Sequence, residues 1–318
     1  MGERPSHPEL LDWLASDFVE HGWRLKRLHK LIMTSTAYRQ SSRQSGSTKS
    51  IPRSSRREEA HFSSKQSNQS LLTSAATNSE AGVPGDQRDP ENRLYWRKPV
   101  QRLDAEVIRD SILATSGALN KAMFGPPVPV RPDVQGQIVV GIDKTEGDNK
   151  MPIDVALKGE EFRRSIYIQV RRSRPLAMLH AFDAPVMEVN CERRQPSTVP
   201  TQSLMLMNSQ FILDQAARFA TRLKTEAGED PTRQVARAWQ LAFSRAPTEQ
   251  ESADALDFLS RQVDELRTAS EKPEVEKKDE TSKKQEKPKP VAKPTPEMQA
   301  LTDLCQALLS ANEFLYVD

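Results

Sequence analysis

A mainly helical fold, with helical hairpins and amphipathic helices around one core and a small β-hairpin or sheet, is predicted by three observations. Apolar residues recur at helical spacing through most of the patterned stretches, as at Leu256, Leu259, Val263 and Leu266. Helix starts carry their own marks: Asp230 before Pro231 reads as N-cap and N1, and Thr248 with Glu251 as a capping box. Strand-like patterns are confined to QIVVGI at 137–142 and RSIYIQV at 164–170, where Ile166, Ile168 and Val170 alternate.

In chain order, residues 1–42 read as a helical hairpin. Ser6 and Glu9 have capping-box spacing, Pro8 falls in the first turn, and Leu11, Leu14 and Phe18 follow at helical spacing up to the stop at Gly22. The second helix sets Leu25, Leu28, Leu31 and Ile32 on one face and Arg24, Lys26, Arg27 and Lys30 on the other. Residues 43–87 are a Ser-rich insert with almost nothing to bury, and are expected to be disordered. The main helical body is expected over 88–268. Within it, 103–119 is a helix with Ala105, Ile108, Ile112 and Leu119 inward and Glu106, Arg109 and Asp110 outward. GPPVPVRPDV reads as an extended connector. Helices follow over 174–182, over 202–224 with Phe211, Ile212, Phe219 and Leu223, and from Pro231 with Val235, Trp239 and Phe243 buried. A Lys/Glu/Pro linker covers 269–296. The last helix, 297–318, must dock on the main body through Leu301, Leu304 and Leu308, because an isolated helix of this length is marginal.

The 46 basic and 44 acidic residues nearly cancel to +2, so no global field favours nucleic acid as a partner. The hairpin suits any helix–helix pair as well as a DNA reader. No run approaches the roughly 18 apolar residues that would span a bilayer. His7, His21, His29, His61 and His180 form no HxxxH, HExxH or Cys/His cluster, and GxxxxGK[ST], GxGxxG and GxSxG are absent. The chain alone therefore carries no motif of an enzyme or a metal site.

Chemistry concentrates in residues 160–202. His180, Asp183 and Cys191 allow a thiol-nucleophile reading, in which His180 deprotonates Cys191 and Asp183 orients the imidazole. A packed thiol and a solvated histidine account for the same residues. Cys191 and Cys305 form no CxxC, and the sequence leaves open whether they pair. The arginines Arg163, Arg164, Arg171, Arg172, Arg174, Arg193 and Arg194 give the stronger signal, an Arg-rich face able to grip carboxylate, sulfate or phosphate. The competing reading pairs them internally with Glu160, Glu161, Asp183, Glu188 and Glu192.

Six blocks in order carry a family resemblance: 2–42, 89–113, 163–185, 191–216, 242–251 and 304–318. They resemble the C-terminal domain of unknown function of the planctomycete-type large exported proteins that carry a cytochrome c-like haem domain upstream. The resemblance implies no established activity and no catalytic residues. It implies export of the full-length protein to the periplasm or cell surface. The haem-attachment motif CxxCH is absent, so no haem or other cofactor is expected in this chain. The block at 2–42 lies far from the N-terminus in such proteins, so the chain is expected to be a fragment with Met1 internal. The functional expectation is a non-catalytic binding or scaffold domain for an anionic polymer, an acidic protein or the missing upstream domains. The alternative is a hydrolase or oxidoreductase module completed by those domains.

Overall fold

The computed structural model describes residues 5–42, 89–142, 156–185, 194, 196–271 and 294–317. The expected disorder of 43–87 and of most of 269–296 falls outside these residues, as do Cys191 and Arg193. The chain forms two compact units, one ending at Gln101 and the other spanning Arg102–Val317.

The first unit opens with α1 (Pro8–Glu20) and α2 (Leu25–Thr34). Pro8 occupies the first helical position, where its missing N–H costs nothing. The Ser6–Glu9 capping box does not form. His7 is the N-cap, so Ser6 stands one position too early, and its hydroxyl bonds His7 Nδ1 at 2.9 Å instead. Gly22 turns the chain at φ +72°, and Trp23 N–H closes the helix end on Phe18 O at 2.9 Å. No side chain of either helix is buried; Leu11 and Leu25 are 56% and 59% exposed. Later in this unit Asp89 accepts from the Arg93 and Leu94 N–H groups, and Lys98 sits over the Tyr38 ring.

The second unit holds the core. It begins with α3 (Ala105–Ser116), which ends at left-handed Gly117. Two of its last carbonyls, of Ala114 and Thr115, accept from Arg222 Nη1 at 3.0 and 2.9 Å. The Pro-rich stretch is not a free connector. Its residues Val130–Pro132 form β1, paired antiparallel with β2 (Ile138–Val140). Asp133 N–H bonds Gln137 O, so alternation leaves Pro132 at a position whose absent N–H breaks no ladder bond. The turn is held by Asp133 Oδ1, which accepts from the Gln135 and Gln137 N–H groups, and by Gly136 at φ +82°. The expected strand 164–170 is corrected as well. Ser165–Tyr167 is a 3-10 turn, and only Ile168 bridges to Val128. Ile168 is buried with Val130 and Leu176, whereas Ile166 and Val170 are exposed.

The short α4 (Ala177–Ala181) leads to α5 (Pro200–Asn208) and α6 (Gln210–Ala227). A single helix was expected there. The break at Ser209 is stabilised by Gln306, whose Nε2 donates to Met207 O at 2.8 Å and so satisfies a carbonyl at the end of α5. Then come α7 (Pro231–Phe243), α8 (Glu249–Glu271), α9 (Pro296–Leu309) and α10 (Asn312–Leu315). Asp230 Oδ1 caps α7 through Thr232 N–H at 2.9 Å. The Thr248–Glu251 box forms reciprocally, at 2.8 and 3.2 Å. α6 is the hub, packed by α3, α5, α7 and α9. Its Ile212, Ala216, Phe219, Ala220 and Leu223 are fully buried, as are Cys305 and Leu309 of α9. Burial raises the Cys305 thiol well above its usual value, and the thiol is free. Among the described residues no helix is long and apolar enough to cross a membrane.

Candidate functional site

The site grows from α3. Ala105, Ile108 and Ile112 face the core, but Arg109 does too, contrary to the outward position expected of it. A guanidinium can be buried only if its donors are met. Here Nη1 donates to Arg163 O at 2.9 Å and Ser165 Oγ at 3.3 Å, and Nη2 to Glu161 O at 2.7 Å. Arg109 thus ties the 160–165 segment to α3, with Asp110 at 3.6 Å as counter-charge. Burial lowers its pKa to about 10, against the opposing pull of Asp110. Asp110 Oδ1 in turn accepts from Ser165 N and Oγ at 2.8 and 2.7 Å.

The arginines predicted as one face separate into two groups. Arg163 is only 2% exposed. Its terminal nitrogens donate to Phe124 O, to Pro126 O at 3.1 Å and to Glu160 at 3.2 Å, and its guanidinium stacks 4.0 Å from the Tyr167 ring centre. Arg163 is therefore an internal tie and not a surface grip. The half-buried Arg164 leans on the same ring at 5.5 Å. Arg194 clasps Glu106 with two bonds, at 2.6 and 3.1 Å, and lies 3.5 Å from Asp104. Burial would raise the Glu106 carboxyl, but the Arg194 bonds, a backbone N–H and the Arg194 charge together hold it below its usual value. Arg171, Arg172 and Arg174 remain toward solvent. Arg171 is half-buried with a 3.3 Å bond to Gln169, while Arg172 and Arg174 are exposed.

These groups meet at a cleft of about 680 Å³. One wall is α3 with Asp104, Glu106, Val107 and Asp110, closed by Arg194. The other is the 165–172 segment, including Ile166, Val170, Arg171 and Arg172, with Leu176, Leu179 and His180 beyond it. Arg171, Arg172 and Arg194 are brought to it, whereas Arg163, Arg164 and Arg174 are not. Sequence reasoning missed the cleft's acidic wall. Its signal was present: Glu106 and Asp110 stand four apart in a helix and so share one face.

The thiol-nucleophile arrangement lacks its orienting acid. Both Asp183 oxygens are taken by Arg102 Nη2 at 2.7 Å, Ser197 N at 2.7 Å and Ser197 Oγ at 2.8 Å. Burial would raise Asp183, but these bonds hold its carboxyl below the usual value. Arg102 also donates to Ser197 O and Phe182 O, at 2.6 and 3.1 Å. The network ties Ser197 to Arg102, Phe182 and Asp183, and His180 is exposed. Among the described residues no group of three or more His, Cys, Asp or Glu side chains could hold a metal ion.

No curated protein and no solved structure matches the chain. A family match does cover the hairpin, the cleft and the helices into the first half of α8. With matches over residues 1–58 and 54–259, the chain belongs to the PSD1 family, proteins of unknown function (DUF1553).

Proposed function

We propose that this chain is a non-catalytic binding domain that grips an acidic group of its partner, an anionic polymer or an acidic protein, through Arg171 and Arg172 at the cleft. The observation that carries this reading is the division among the arginines. Arg163 and Arg194 spend their donors inside the molecule, while Arg171 and the exposed Arg172 line the cleft. A planar guanidinium pair at the edge of a concave, partly apolar surface is suited to carboxylate, sulfate or phosphate. Glu106 and Asp110 support the enzymatic alternative less well, because Arg194 and Ser165 already engage them and neither is free as a general base. A larger exported protein with an upstream haem domain, suggested by the resemblance, would supply the context for such a partner.

The test is retention of the full chain on a polyanionic matrix at low salt. Arg171→Ala with Arg172→Ala should abolish retention without changing the melting temperature, and salt should release the parent well below about 1 M. Unchanged retention, or unfolding of the double variant, would refute the reading.

A further inference from the structure

We infer that the cleft takes an extended polypeptide segment that pairs edge-on with residues 168–170 and presents both an apolar and an acidic side chain. The inference rests on the reading of the cleft as a binding site and names the class of its occupant. Two observations carry it. The first is the backbone. Tyr167 O accepts from Val128 N at 2.7 Å, and Gln169 N donates to Val128 O at 2.8 Å. Strand alternation turns the Ile168 carbonyl and the Val170 N–H to the opposite side. Among the described residues neither of those groups is hydrogen-bonded. A donor and an acceptor at this spacing, on residues that line the cleft, are what an added strand uses for its main-chain bonds.

The second observation is the character of the rim. Ile166 and Val170 are 79% and 66% exposed, and Val107 stands on the facing wall at 44%. A sulfated or carboxylated polysaccharide has only the C–H faces of its rings to cover these side chains, whereas a peptide has apolar side chains for them and acidic ones for Arg171 and Arg172. Charge complementarity and apolar complementarity thus converge on one chemistry. Most of a polyanion's grip would come from the arginines alone.

The test uses the full chain and three labelled probes in fluorescence polarisation: an eight-residue peptide alternating valine and aspartate, the same peptide N-methylated at alternate residues, and a heparin fragment. The parent peptide should bind, and N-methylation should weaken it about tenfold or more, since a lost main-chain bond leaves its partner unsatisfied. Ile166→Ser, a neutral change at a position exposed enough to leave folding intact, should weaken the peptide and leave heparin unaffected. Equal binding of the N-methylated peptide, or insensitivity to Ile166→Ser, overturns the inference. If heparin binds through Arg171 and Arg172 and the peptide does not, the occupant is a polyanion: the binding reading survives and the peptide inference fails. If no probe binds, both fail.

Discussion

Where residues 160–167 turn against α3, their arginine at 163 points inward; where the chain runs on through 168–174, its arginines face solvent. The two stretches are adjacent and each carries Arg-Arg-Ser, at 163–165 and 171–173, yet one is a tie and the other a surface. The difference lies in the backbone acceptors each finds. The 3-10 turns at Glu160–Phe162 and Ser165–Tyr167 bring Arg163 beside the carbonyls of Phe124 and Pro126, and turn the carbonyls of Glu161 and Arg163 toward Arg109. The 167–169 stretch spends its inward-facing groups on Val128, leaving none for Arg171 or Arg172. A guanidinium is buried where carbonyls are waiting for it, and otherwise stays in water.

The largest effect should come from the arginine that holds the buried stretch in place. Arg109→Ala strands the Glu161 and Arg163 carbonyls and Asp110 together, and should cost about 3–5 kcal/mol in urea unfolding, as broken buried charge networks do. A neutral result would mean that the 160–165 segment does not depend on α3, and the contrast between the two stretches would collapse.

Leu304→Ala sharpens the contrast from the apolar side. Leu304 is 6% exposed on α9, which packs against α6 and α8, so truncation should cost about 2–5 kcal/mol. A neutral outcome in the same unfolding assay would place α9 outside the core.

The helical skeleton was legible because its signals are local. Thr248 with Glu251 and Asp230 with Pro231 each meet at the spacing a helix imposes. Ser6 misled because a capping box depends on which residue is the N-cap, and Pro8 set that at His7. The 166/168/170 alternation misled because a 3-10 turn followed by a single bridge exposes alternate residues as a strand does. Pro132 hid a strand, since its tolerance there depends on ladder register, which no local pattern reports. Arg109 was legible in principle: it falls between Ile108 and Ile112 on the apolar stripe, and its charge alone argued it outward. The cleft was not legible, because α3 and 165–172 meet only through bonds such as Asp110 to Ser165, which join residues far apart in sequence.

A smaller effect separates a partly exposed arginine pair from the buried ones. Arg245 donates to both oxygens of Glu251, which with burial and Thr248 bonds acting against and alongside it sets the Glu251 carboxyl at about 2, below the usual 4.5. A depressed folded-state value means that the stabilisation is complete above about 4.5 and is lost as pH falls toward about 2. Because the pair is partly exposed, Glu251→Gln should remove only about 1 kcal/mol at neutral pH, and should flatten the acid limb of a stability–pH profile. An unchanged acid limb would show that other carboxylates control it.

The smallest effect, that of the double variant at Arg171 and Arg172, is the most telling. Urea unfolding of Arg163→Ala beside the double variant Arg171→Ala, Arg172→Ala compares the buried and solvent-facing stretches in one assay. Arg163→Ala should lose about 2 kcal/mol or more, because its ties to the Phe124 and Pro126 carbonyls and its stacking on Tyr167 go together, while the double variant should stay within about 0.5 kcal/mol of the parent. A double variant as unstable as Arg163→Ala would contradict the account, since Arg171 and Arg172 would then be internal ties with nothing to offer a partner.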